Sequence, residues 1–353
     1  MSQPGSTRIF KDVEGLARFV CGLDLSLFVS TYTAGRIFAI GHDGYGTLRV
    51  LPVHMPRPMG VAFHGSRMAV ATLRDIQVFF EHEEAGRNLP FSFHQFQTFY
   101  TPRISYYTGP LDIHDLYLTS KGMLAVATKF SCLATFTSET SFKPIWTPKF
   151  ITELRPEDRC HLNGLAMDGE VPAYVTMLGT GDSAGSWREE ITTGGQIVRV
   201  ADHEVLAAGL GMPHNPRLVG NRLYFLESAK GHLAYLDLET GQKHVVAELG
   251  RFVRGLVLVG QTAVVAYSKL RATSSTFAKL QGVVRGDTSG ILGVDLLTGT
   301  ELFNAEFLEG VDEVYDVQAR PGGSVGIMGA SDAAKYELIT IKGSSFWQKR
   351  EPN

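Results

Sequence analysis

Cysteine is scarce in this chain. Cys21, Cys132 and Cys160 make an odd count of three with no C-x-x-C pair, which excludes a disulfide framework or a cysteine zinc knuckle. They read as small buried hydrophobes in a reducing compartment, so cytoplasm is the expected location. Long apolar runs are missing as well. No stretch approaches the ~20 uninterrupted apolar residues of a membrane span. The N-terminal "MSQPGSTRIFKDVEG" has no long apolar segment behind a basic start and does not read as a signal peptide. Charge of one sign is also lacking. The balance of 33 Lys and Arg against 36 Asp and Glu leaves −3 with no basic run, so neither nucleic acid nor an anionic membrane is an expected partner. "GTGDSAG" lacks the G-K-[ST] ending of a phosphate loop, and no G-x-S-x-G elbow is present, which argues against a serine hydrolase. No amphipathic helix longer than a turn or two is expected.

What the chain does have is a repeat, in which a short apolar strand, a tight polar turn and a second apolar strand recur. The copies read "GVAFHGSRMAVATL" from Gly60, "DLYLTSKGMLAVAT" from Asp115 and "GLAMDGEVPAYVTML" from Gly164. They continue as "PRLVGNRLYFLES" from Pro216, "GLVLVGQTAVVAYS" from Gly255 and "DVQARPGGSVGIMG" from Asp316, with a looser first copy, "LARFVCGLDLSLFVST", from Leu16. Further strand signals follow each hairpin, including the matched "YLDLETG" and "GVDLLTG". Four strands per unit at a period of roughly 50 residues is the pattern of propeller blades. The 353 residues are therefore expected to form one all-β domain, a seven-bladed β-propeller with blades beginning near 16, 59, 114, 163, 214, 254 and 315. The segment Arg8–Val13 is expected to close the last blade, since an open ring would expose strand edges. A six-bladed ring is the alternative if the first copy is not a blade.

Aligning the inner strands by their turns places Leu16, Met59, His114, Asn163, His214, Arg254 and Tyr315 at one level of the channel. His161 lies two residues before Asn163, so on extended backbone both face the same way. Three histidines are thus expected to converge at one mouth. The long segments 149–160, 179–195 and 268–290 are expected to border that mouth, and long loops in compact domains are commonly functional.

The segment "TKFSCLATFTSETSFKPIWTPKFITELRPEDRCHLNGLAM", with "GMPHNPRL", "FVRGLVLVG" and "GVDEVYDVQARPG", resembles an uncharacterised bacterial family of propeller-like proteins. That resemblance spans most of the chain and implies a propeller without implying a reaction. More loosely, the layout is similar to propeller enzymes with axial metals, lactonases using carboxylate and Asn ligands and oxygenases or lyases using several histidines. This is likeness of fold alone.

The leading expectation is a metal-dependent enzyme acting on a small polar or anionic molecule or a peptide side chain. His114, His161 and His214 would hold a divalent Zn, Fe, Mn or Ni, leaving positions open for water or substrate. Asp115, Glu313 or Asp316 would orient a ligand. The plainer reading is that these histidines bond loop backbone, because no H-x-H or H-E-x-x-H spacing supports a metal. Arg254 would clamp a carboxylate or phosphate, or else pair with Glu313, Asp312 or Asp316. Glu313 and Tyr315 are candidates for proton transfer, with turn hydrogen bonding as the alternative. Arg57, Asn163, Asn215, Trp187 and Arg188 are candidate substrate contacts. Capping for the two Asn and loop anchoring for Trp187 and Arg188 are the structural alternatives. Hydrolase, lyase, isomerase and oxygenase chemistry all remain open, as does oligomeric state. A non-catalytic propeller gripping a peptide or protein at the same face is the competing function.

Overall fold

In a computed structural model, residues 9–90, 95–271, 275–329, 333, 335–342 and 344–351 are described. Short strands alternate with tight turns because the apolar runs end at residues that tolerate left-handed backbone. Gly65, Gly169, Gly220 and Gly260 turn the innermost hairpins of four units with φ of 56–58°. A side chain there would be strained, whereas glycine adopts the conformation freely.

The strands form six radial sheets, so the ring has six blades rather than seven. The second blade is built, from the axis outward, from Val61–His64, Arg67–Ala71, Asp75–Glu81 and Thr98–Tyr107. The third, fourth, fifth and sixth begin at Ile113–Thr119, Leu162–Asp168, Pro213–Val219 and Phe252–Val259, and each runs outward through three further strands. The first blade is shared between the chain ends. Val314–Pro321 is its inner strand, and Leu25–Thr31, Arg36–His42 and Leu48–His54 complete it. The first and last sequence repeats are therefore one blade.

Two sequence expectations are corrected here. Glu14–Gly22 is an α-helix of nine residues, not a strand. Leu16, Phe19 and Val20 lie at the i, i+3, i+4 spacing of a helical face. Leu16 and Val20 are fully buried with Leu27, Ile40, Val264 and Ile291 between the first and sixth blades, so Leu16 does not face the channel. The N-terminal strand is Phe10–Lys11 and pairs with Glu306–Phe307 at the outer edge of the sixth blade. It therefore does not close the ring, and Arg8 lies outside the described residues.

The C-terminal segment also departs from the repeat. Val325–Ile327 leaves the first blade and runs parallel to Thr98–Tyr100 on the outside of the second. Tyr336–Ile341 and Ser344–Lys349 form a separate hairpin. It is held there by Arg103, which donates to the Leu338 carbonyl and the Thr340 hydroxyl. Among the described residues no helix is long and apolar enough to cross a membrane.

Three glycines lie against the inner strand of the next blade, and glycine alternates with Asp or Asn around the ring. Gly60, Gly164 and Gly255 stand in the second, fourth and sixth blades, and Asp115, Asn215 and Asp316 in the third, fifth and first. A Cβ on Gly164 would run into the Pro216 ring and stand 3.1 Å from the Asn215 backbone nitrogen. Gly164→Ala is expected to destabilise by about 1–3 kcal/mol through overpacking, readable in chemical unfolding; an unchanged midpoint would contradict it.

Candidate functional site

The alternating residues build a polar floor across the channel. The Asp115 carboxylate accepts the Leu165 backbone N–H at 3.1 Å, and Asp316 accepts that of Val61 at 3.0 Å, each on the next blade. Arg217 then spans the axis. Its guanidinium donates to Asp115 at 3.1 Å, to the Tyr117 hydroxyl at 2.9 Å and to the Leu256 carbonyl at 3.1 Å, and lies 3.9 Å from Asp316. With its amide turned so that both neighbours are satisfied, Asn215 accepts from Arg217 at 3.0 Å through its side-chain oxygen and donates to the Arg254 carbonyl through its nitrogen. Burial pushes Asp316 up to about 7 and raises Asp115, with Arg217 opposing both. Asp115 and Asp316 thus stitch blades together and hold Arg217, where the sequence reading made them ligand-orienting groups.

Above this floor lies a cavity of about 280 Å³, lined among others by His114, His161, His214, Arg254, Tyr315, Trp187 and Arg188. Seven of the candidate residues therefore meet in one place. The chain reaches it through left-handed residues two positions before the aligned level. Arg57, Asp112, His161 and Met212 have φ of 48°, 52°, 48° and 53°, respectively. Such conformations are costly for non-glycine residues and persist where surrounding structure enforces them.

His114 and His214 are held identically. Nδ1 of His114 lies 2.9 Å from the Asp112 carbonyl and 2.8 Å from the Thr128 hydroxyl, which spends its own proton on the Leu162 carbonyl at 2.7 Å. Nδ1 of His214 lies 2.9 Å from the Met212 carbonyl and 2.8 Å from Ser228, whose hydroxyl donates to the Val253 carbonyl. A carbonyl can only accept, so each Nδ1 carries the proton and each Nε2 keeps a lone pair. Burial holds both imidazoles well below their ordinary pKa; His161 and then Arg254 add to this for His114, and Arg254 for His214. Both are neutral acceptors at physiological pH.

His161 differs. Its Nδ1 donates to the Asp158 carboxylate at 2.9 Å, and the Trp187 indole N–H donates to the same carboxylate at 2.9 Å. Arg188 lies 3.6 Å from Asp158 and stacks over the Trp187 ring at 4.4 Å. The His161 ring stands 4.6 Å from that of His114, edge to face. A carboxylate that fixes the orientation and tautomer of an imidazole is a general-base arrangement.

Arg254 is buried over the Tyr315 ring at 4.4 Å, and no carboxylate of the described residues is within ion-pair distance of it. The partners considered for it are engaged elsewhere: Asp312 with Lys269, Glu313 with Arg271, and Asp316 with the floor. Glu313 does not line the cavity, although Arg271 does. Arg254 Nε, the Tyr315 hydroxyl and Asn163 Nδ2 are buried without a hydrogen-bond partner. Burial also holds the Tyr315 phenol well above its usual range, so it is a donor. Arg57 stays outside the cavity, 5.4 Å over the Tyr32 ring.

Sequence reasoning missed Asp112, Asp158, Arg271 and Tyr32. Asp158 stood three residues before His161 in "EDRCH", a spacing that could have found it. Asp112 lines the cavity half-buried, and its carboxyl is raised by burial. Among the described residues no three His, Cys, Asp or Glu side chains converge closely enough to hold a metal ion. Cys132 and Cys160 are buried, with thiols pushed up to about 12 by burial, consistent with inert packing.

The model of a family described as "Domain of unknown function (DUF4915)" matches residues 14–327. The chain belongs to that family. The DUF4915 match spans all six blades and ends at the strand that leaves the first blade for the second. No curated protein sequence shows significant similarity to the chain. A chain in a crystal structure of a nidogen/laminin complex is similar in fold, with 12% sequence identity and a TM-score of 0.52, covering 84% of this chain and 98% of that one. At that identity the likeness concerns the propeller alone.

Proposed function

We propose that the DUF4915 cavity binds a small carboxylate- or phosphate-bearing molecule and moves a proton on it. The observation that carries this reading is Arg254, a buried guanidinium without an internal carboxylate among the described residues, beside the unpartnered Tyr315 hydroxyl. A buried charge needs compensation, and an anionic ligand supplies it. Arg254 and Tyr315 bind the anion. His161, oriented by Asp158, takes a proton, and the Asp112 carboxyl is placed to return one. Trp187 and Arg188 cover the site from the 179–195 loop, and Lys279 ties that loop to the neighbouring one through the Arg188 and Glu189 carbonyls. Isomerisation, elimination and water addition all fit this set.

Arg254→Gln is expected to weaken binding of small carboxylates and phosphates by roughly 30-fold or more, read by calorimetry or ligand-induced thermal shift. His161→Asn should leave binding in place and reduce turnover by about 10²–10⁴. Equal anion affinity in wild type and Arg254→Gln would sink the reading.

A second reading keeps a metal. The Nδ1-anchored tautomers of His114 and His214 present Nε2 as ligating histidines do, but His161 does not converge with them closely enough to be a third ligand without a shift of its side chain. Arg254 opposes it, because its charge already disfavours protonation of both rings. Metal analysis of untagged protein separates the two. A stoichiometric metal lost in a His114→Ala, His214→Ala double variant favours the second reading, and metal-free protein that still binds anions favours the first.

A further inference from the structure

We propose that the ligand is a hydroxylated small carboxylate, bearing at least two hydroxyl groups besides its anionic end. This rests on the anion reading above and deepens it. The argument starts from the complementary halves of the cavity. Arg254 and Tyr315 offer buried donors without acceptors, whereas Asn163, also unpartnered, does not line the cavity and is not the substrate contact expected of it. His114 and His214 offer the reverse, since each Nδ1 proton is committed to a backbone carbonyl and each Nε2 can only accept. The hydroxyl relays fix this choice. Thr128 and Ser228 stand 14 residues after their histidines and spend their protons on the carbonyls of the next blade, so neither can donate back to the ring.

A simple carboxylate would satisfy the donors and offer nothing to the two Nε2 lone pairs that face the cavity, and displacing water from them without a replacement donor costs about 1–3 kcal/mol each. A donor-bearing ligand removes that cost. Hydroxyl fits better than ammonium, because the guanidinium that disfavours a proton on His114 and His214 also repels a cation placed against them. The walls agree with a compact molecule that has both polar edges and C–H faces. Trp187, Phe252 and Met59 line the same cavity. Its volume of about 280 Å³ holds roughly nine liquid waters, room for about three to six carbons with their oxygens.

The test is a calorimetric panel on the intact protein. Aldonates of three to six carbons, covering their stereoisomers, are compared with the unsubstituted fatty acids, the polyols and the ω-amino acids of equal length. At least one aldonate is expected to bind tenfold or more tighter than its fatty acid, its polyol and its amino acid. In His214→Phe that preference should fall to within about threefold, while His214→Gln, whose amide oxygen can still accept, should keep part of it. Thermal unfolding without ligand checks that each variant is folded, and His114→Phe serves if His214→Phe is not.

Fatty acids binding as tightly as every aldonate, with no effect at His214 or His114, would overturn this proposal while leaving the anion reading intact. Polyols binding as tightly as aldonates, with Arg254→Gln unaffected, would overturn the anion reading instead. No binding across the panel overturns the hydroxylated carboxylate as well. Preferential binding of the amino acids would reverse the choice of hydroxyl over ammonium.

Discussion

Arg217→Met is expected to cost about 3–5 kcal/mol of stability at neutral pH, among the largest effects of any single substitution in the ring. The methionine fills part of the space, but it leaves Asp115 and Asp316 buried without their guanidinium. The loss should depend on pH, with a definite sign. In the wild type, burial raises Asp316 to about 7, above the usual unfolded carboxyl value near 4. Such a group stabilises the fold fully below about pH 4, and that contribution is lost as pH rises through about 7. Without Arg217 both carboxyls titrate higher still. At about pH 5 Asp316 is protonated and neutral, and its share of the penalty shrinks; at about pH 8 that share is full. Urea unfolding of wild type and variant across that range measures it. Adding Asp316→Asn should restore part of the loss at high pH. A cost under about 1 kcal/mol that does not vary with pH would show that the floor does not depend on the ion cluster.

Removing residues from 312 onward is expected to abolish cooperative folding, whereas removing only residues from 335 onward should leave the ring folded. The first truncation deletes the inner strand of the first blade, which pairs with Leu25–Thr31 along its length. It takes away Val314 and Val317 from the core that also holds Leu16 and Val20, and Asp316 from the floor. Buried side chains of this size contribute roughly 1.5–3 kcal/mol each, so the sum approaches the whole stability of a domain. The second truncation removes a hairpin that rests on the outside of the second blade. Circular dichroism and thermal melts of the two proteins decide the matter. A cooperative transition in the shorter one would mean that the ring closes without the inner strand of its first blade.

The turn alignment of the inner strands carried most of the site. It placed His114, His214, Arg254 and Tyr315 at one level, and all four line one cavity. For His214 and Arg254 it succeeded because Gly220 and Gly260 mark the same hairpin turn in their blades, and a fixed turn fixes which side chains face the axis. Blade count was harder to read. "LARFVCG" carries enough apolar residues to pass for a strand, and only its i, i+3, i+4 spacing betrays a helix. The first and last repeats looked like two incomplete blades because each end supplies part of a single sheet, a pairing across nearly the whole chain that local pattern cannot reveal. Asp158 and Asp112 were passed over because their roles follow from left-handed backbone just before the strands, which sequence does not display in an Asp. Arg217 was missed because it sits three residues past the aligned level, beyond the mouth where attention fell.

Arg217 has a consequence for traffic. It lies between two cavities, the one holding the histidines and another of about 450 Å³ at the opposite mouth, whose lining it joins. With its guanidinium bound on several sides, Arg217 stands across the propeller axis between the two cavities. A molecule that reaches His161 has to leave by the door it came through, past Trp187 and Arg188. Under the proposed function, arrival and departure share one opening, and loosening the grip of those two side chains on Asp158 is expected to speed ligand exchange.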